Sequence, residues 1–206
     1  PITDGVVGTA YAYDVDATGY PTPGFALTVF PDGMTIDAVS GMIAWTPTAA
    51  GNFDVTVVAT NGVEPNAVQS FVIAVTPAPE APVITSTPIT GGVVGVAYAY
   101  DVNVTGYPVP TFALTTFPDG MTIDAVSGMI AWTPDAVGDY DVVVEATNSE
   151  GTATQPFTIT VTPAPAAPDI TSPPLTDGVL GTAYAYDVDA TGYPTPGFAL
   201  TVFPDG

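Results

Sequence analysis

A repeat longer than any single secondary-structure element constrains this chain more than any other feature. Residues 1–33 read PITDGVVGTAYAYDVDATGYPTPGFALTVFPDG, and residues 174–206 read the same except for Leu175 in place of Ile2 and Leu180 in place of Val7. A looser copy begins at Pro88. Self-similarity at a period of about 87 residues means whole domains in tandem, not small repeats stacked into one core. The expected division is residues 1–78, with the first strand of that domain cut, then 79–165, then 166–206 as the N-terminal part of an incomplete third domain. The sequence is expected to be a window onto a longer array.

Within a repeat the apolar pattern has period two. Tyr11, Tyr13, Val15 and Ala17 alternate with Ala12, Asp14 and Asp16, so the tyrosines share the face expected to be buried and the carboxylates share the other. Phe53, Val55, Val57 and Ala59 alternate in the same way, and Phe71, Ile73 and Val75 make a final strand. Tyr140, Val142, Val144 and Ala146, then Phe157, Ile159 and Val161, are their counterparts in the second domain. No stretch carries a helical stripe. Pro-Asp-Gly at 31–33 and 118–120, and Ser-Gly at 40–41 and 127–128, mark turns in which the glycine is expected to take a positive φ. Many short strands with such punctuation predict an all-β fold, an immunoglobulin-like sandwich of two sheets about 10 Å apart. The segments TPAPEAP at 76–82 and TPAPAAP at 162–168 read as Pro-rich linkers, extended and semi-rigid.

The segments GTAYAYDVDATGYPTPGFAL, FPDGMTIDAVSGMIAWTP, AAGNFDVTVVATNG and SFVIAV together resemble the putative immunoglobulin (He_PIG) repeats, which sit close to cadherin-like, dystroglycan-type domains of bacterial and archaeal surface proteins. The most specific signal is GMxID followed by SGxIxWTP, at 33–47 and again at 120–134. The resemblance implies tandem immunoglobulin-like (cadherin-like) β-sandwiches joined by Pro-rich linkers, in a protein outside a prokaryotic cell. It also raises calcium, because some relatives carry an acidic DPDGD-type loop and a later TDG. This chain reads GYPTPG at 19–24 or GYPVPT at 106–111 for the first, and TNG at 60–62 or TNS at 147–149 for the second. Hard cations want six to eight oxygen ligands that include carboxylates, and neither loop supplies them.

Charge excludes whole classes of function. The chain has no Lys, Arg or His and a formal charge of -21. Phosphate recognition rests on cationic side chains, so nucleic acid is excluded as a partner and anionic lipid is disfavoured. No run approaches the roughly 20 apolar residues of a membrane helix, so no membrane insertion is expected in this segment. With no Cys either, the chain offers no thiolate, imidazole or ammonium for nucleophilic or acid–base chemistry, and the expectation is that it is not an enzyme. No cofactor is expected, calcium being the one possibility left open.

The remaining candidates are carboxylates, aromatics and one sequon. Asp14 and Asp16, two apart on a strand and repeated as Asp187 and Asp189, could begin a calcium site; a solvated face is the plainer reading. Asp135, Asp139 and Asp141 crowd one turn and strand start and form the other calcium candidate. Trp45 and Trp132 have the look of sugar-stacking platforms, but two residues after Ile43 and Ile130 they read as core, with the indole N–H satisfied. Tyr20, Tyr107 and Tyr193 lie in proline-bearing loops and are the better exposed aromatics. Asn103-Val104-Thr105 is an N-glycosylation sequon. Val58, Val72, Ala74 and Val143 fall on faces expected to point outward, which suggests side-to-side or end-to-end association. The function expected is structural: a repeat region of a long surface protein, self-associating into a fibre, filament or stalk. The alternative is an adhesin module whose loops bind a glycan or a protein partner on another cell.

Overall fold

The computed structural model describes residues 1–202, and the chain divides into two compact units, Pro1–Glu80 and Ala81–Gly206. The first unit is built from β1 (Asp4–Val6), β2 (Tyr11–Asp14), β3 (Gly24–Val29), β4 (Thr35–Ile36), β5 (Met42–Trp45), β6 (Gly51–Thr60) and β7 (Ala67–Thr76). One sheet has the order β1-β7-β6-β3 and the other β2-β5-β4. All pairings are antiparallel except β1 with β7, which run parallel. Two sheets made from one alternating sequence bury one residue in two, and Tyr11, Ile43, Trp45, Val55, Val57, Phe71, Ile73 and Val75 fill the space between them. Strand β2 stops at Asp14, although Val15 stays buried and Ala17 packs against the core as the alternation requires.

The GMxID and SGxIxWTP segment is a turn locked from four sides. The Asp37 carboxylate accepts from the backbone N–H of Val39 at 2.9 Å and of Ser40 at 2.7 Å. Gly41 N–H reaches back to the Asp37 carbonyl at 2.9 Å, and the Gly41 carbonyl accepts from Val15 N–H at 3.2 Å. Gly41 sits at φ +79°, where a Cβ would run into the Val15 carbonyl and press on the Phe25 ring, so only glycine fits. The Trp45 indole N–H donates to the Asp32 carbonyl at 3.1 Å and stitches this turn to the Pro-Asp-Gly turn before it. Asp124, Gly128 and Trp132 repeat the arrangement in the second unit. Gly33 and Gly120 also take the positive φ expected of them.

The second unit contains β8 (Glu80–Ile84), β9 (Gly91–Val93), β10 (Tyr98–Asp101), β11 (Val104–Tyr107), β12 (Thr111–Thr116), β13 (Thr122–Ile123), β14 (Met129–Trp132), β15 (Gly138–Asn148) and β16 (Gly151–Thr162). Sheets β9-β16-β15-β12 and β10-β14-β13 repeat those of the first unit, and β8 with β11 adds a two-stranded ribbon. After them come β17 (Ala166–Ile170) and β18 (Ala190–Tyr193), which pair antiparallel. No residue from 163 to 202 is buried. The Pro-rich linkers are shorter than composition suggests, because the second half of each enters β8 or β17 and leaves 77–79 and 163–165 outside strands. Pro82 is accommodated in β8 because that strand has a partner on one side alone.

Candidate functional site

Trp45 and Trp132 are core residues. Each is 6 % exposed, with T-shaped contacts to Tyr11 and Phe53 or to Tyr98 and Tyr140, and no ring face remains for a sugar. Burial has a second mark in the tyrosines beside them. It pushes the Tyr11 and Tyr98 hydroxyls up to about 12, with a smaller push from Tyr13 and Tyr100. Both remain protonated and donate at 2.7 Å to the carbonyls of Ile2 and Ile89. Tyr20 projects from its loop 95 % exposed, whereas Tyr107 and Tyr193 close their strands half-buried.

The carboxylates lie outside. Asp14 ends β2, Asp16 follows two residues on, and both are exposed, as are Asp187 and Asp189. Asp139 and Asp141 stand exposed on the outer face of β15 and accept from the Thr160 and Thr158 hydroxyls of β16 at 2.7 Å each. Asp135 is exposed in the loop before them. Among the described residues no three Asp or Glu come together as a set that could hold a metal ion. The loops compared above with calcium-binding relatives are tied directly: the Asn61 and Asn148 amides donate at 2.8 Å to the Pro21 and Pro108 carbonyls. The same side chains accept from Val63 and Glu150 N–H. A carboxylate could accept in this way but could not donate.

Asn103, of the sequon, is exposed between β10 and β11, and its backbone enters a polar knot that sequence reading missed. Asn103 N–H donates to Ser86 Oγ at 2.9 Å, and Ser86 Oγ lies 2.7 Å from the Tyr100 hydroxyl. Tyr100 donates to Gln155 Oε1 at 2.8 Å, and Gln155 Nε2 closes the ring on the Ser86 carbonyl at 2.7 Å. The available signal was the Ile-Thr-Ser triplet at 84–86 and 170–172, whose serine stands 14 residues ahead of a tyrosine, Tyr100 or Tyr186, in each case. Val72 and Ala74 are exposed as expected, while Val58 and Val143 are half-buried.

Two facing sheets of this topology, a turn locked by aspartate and glycine, and a tryptophan closing the core twice over agree with the family model for "Putative Ig domain", He_PIG, which matches residues 1–76 and 81–162. The chain belongs to the He_PIG family. These He_PIG repeats are also similar to the "Serine-rich adhesin for platelets" of two Staphylococcus aureus strains, MRSA252 and MSSA476, at 29% identity over 62% of this chain. The chain spans 10% and 6% of the length of those two relatives. A solved fragment of titin, I-band I67-I69, is similar at 16% identity, with a TM-score of 0.48 over 81% of this chain and 64% of that one. Among the described residues no helix is long and apolar enough to cross a membrane.

Proposed function

We propose that this chain is part of the structural repeat region of a long extracellular or cell-surface protein of a prokaryote, forming a stalk or fibre from domains at 1–78, 79–165 and onward from 166. The observation that carries this reading is repetition of a closed sandwich whose polar groups are spent on holding its own turns and loops. The Asp37 and Asp124 carboxylates, the Trp45 and Trp132 indoles and the Asn61 and Asn148 amides all bond to backbone of their own domain. Such units act as spacers. The Ig-like family and the similarity to a surface adhesin support a non-enzymatic surface role. Exposed Val72 and Ala74 on β7 supply apolar surface for self-association.

The second reading is an adhesin-type module, favoured by the similarity to the staphylococcal adhesins, with a glycan or a cell-surface protein as partner. Fully exposed Tyr20 is the residue best placed for such a contact. Electron microscopy of secreted or surface material separates the two. Continuous filaments with an axial repeat of one or two domains support the fibre, whereas separate rods ending in a distinct head favour the adhesin and overturn the fibre.

A further inference from the structure

Strand β7 meets β1 over a short length. The register joins Asp4, Gly5 and Val6 to Ala74, Val75 and Thr76, and Ala74 N–H donates to the Thr3 carbonyl at 2.8 Å. Backbone polar groups alternate in direction along a strand, so Val68, Ser70 and Val72 turn their N–H and C=O to the same side as Ala74. Among the described residues no strand lies on that side of 67–72, and β6 occupies the other. The open edge belongs to the fold, because β16 repeats it: β9 pairs with Thr160 to Thr162, and 152–158 have β15 alone, in a unit where β8 is present.

The two units treat this edge differently. In the place of Ser70, which stands opposite Thr56, the second unit has Pro156, opposite Val143. Proline has no N–H and blunts an edge against a further strand. Thr154 and Thr158 flank it, whereas Ser70 is flanked by Val68 and Val72, 64 % and 44 % exposed. Elsewhere in the first unit β3 carries a bulge between Leu27 and Val29, β4 is two residues long, and β2 ends after four at Asp14. Charge singles out β7 as well. No Asp or Glu falls between Glu64 and Glu80, in a chain of formal charge -21.

We propose that residues 68–72 of β7 pair with the same residues of a second copy of this chain, antiparallel across a two-fold axis, so that two four-stranded sheets become one. Ser70 N–H donates to the Ser70 carbonyl of the second copy and its carbonyl accepts in return, while Val68 and Val72 exchange the same bonds with Val72 and Val68. On the outer face each Val68 then packs beside Val72 of the other copy. A second copy fits this edge because the valines are placed symmetrically about Ser70. An uncharged edge is also where two chains of the same sign can approach without setting carboxylate against carboxylate. The contact is isologous and closes at two copies. Repulsion between the remaining charges is screened by salt, so pairing strengthens as ionic strength rises. The joint is lateral and does not depend on the fibre reading.

The test is sedimentation equilibrium of the whole chain at raised sodium chloride, over a wide concentration range. The expected weight-average mass climbs from the 20.8 kDa of one chain toward twice that value and stops. Ser70→Pro, which gives β7 the residue of β16, should hold the mass at one chain. Val68→Glu combined with Val72→Glu sets like charges opposite each other at exposed positions, leaves the Ser70 contact with Thr56 in place, and should do the same. Amide exchange at Val68, Ser70 and Val72 should slow as concentration rises, while that at Thr154 and Thr158 stays unchanged. A single-chain mass at every concentration overturns the pairing, as does association that survives both variants or that leaves the β7 amides unprotected. None of these results touches the fibre reading, which microscopy tests.

Discussion

Tyr11 is 6 % exposed, and Tyr184, at the same place in a near-identical stretch, is 57 % exposed; Phe25 and Phe198 differ in the same way, at 9 % and 60 %. Residues 1–29 contain β1, β2 and β3, whereas 174–202 contain β18 alone. The two stretches differ at Ile2/Leu175 and Val7/Leu180, neither of which turns a strand former into a breaker. Partners account for the difference. Strand β2 lies on β5 and β3 on β6, whereas among the described residues 174–202 pair through β18, with β17. What persists in both stretches is local: the tyrosine hydroxyl still reaches the carbonyl nine residues back, in Tyr184 to Leu175 as in Tyr11 to Ile2. Short-range bonds survive without a core, and strand identity does not.

The largest effect should come from making the first stretch resemble the last. Gly41→Ala forces a left-handed backbone and drives a methyl at the Val15 carbonyl, at a cost of about 2–6 kcal/mol. Denaturant unfolding followed by Trp45 fluorescence in a Trp132→Phe background should show the first unit destabilised. With the Trp reporters exchanged, the second unit should be unchanged.

A smaller contrast tests whether the repeated hydroxyl bond depends on its surroundings. Tyr98→Phe keeps the ring on Trp132 and removes the bond to Ile89, for a loss of about 1 kcal/mol. Tyr184→Phe, at an exposed ring, should leave the unfolding of both units unchanged. Equal losses would mean that burial is not what gives the bond its value.

Alkaline pH probes the same residues without mutation. An unfolded tyrosine ionises near 10, about two units below Tyr11 and Tyr98 in the folded units. The folded state therefore holds these protons after the unfolded state has lost them. Their contribution is fully present below pH about 10 and is lost as pH rises toward 12. Absorbance titration at the phenolate band should show a late fraction, and melting temperature should fall across that window.

The smallest effect belongs to the turn carboxylates. Backbone N–H bonds from Ser40 and Val39, and from Ser127 and Val126, hold Asp37 and Asp124 below the usual carboxylate range. Their contribution is present above the unfolded value of about 3.9 and fades as pH falls through the lowered folded values. Asp37→Ala should flatten the acid limb of the first unit's stability curve, read by Trp45, and leave that of the second unit intact.

Much of the architecture was legible because a sandwich states its core as alternation. Ile43, Val55, Val57 and Ile73 are buried where period two places them, and the Trp indoles find the carbonyl partners that a buried donor needs. The polar knot was not legible. Ser86, Tyr100 and Gln155 lie far apart in sequence and meet only when β8, β10 and β16 converge. Nor could spacing place Asp139 and Asp141, because the threonines that engage them belong to the neighbouring strand.

The sequence alone determined which face of each strand turns inward, where the chain turns, and that no Lys, Arg or His side chain is present, since these follow from side-chain polarity, glycine and composition. Tertiary structure alone decided whether a given copy of the motif is a buried strand or an exposed segment. Strand pairing takes its hydrogen bonds from residues tens of positions away, and near-identical segments take whatever partners the rest of the chain supplies.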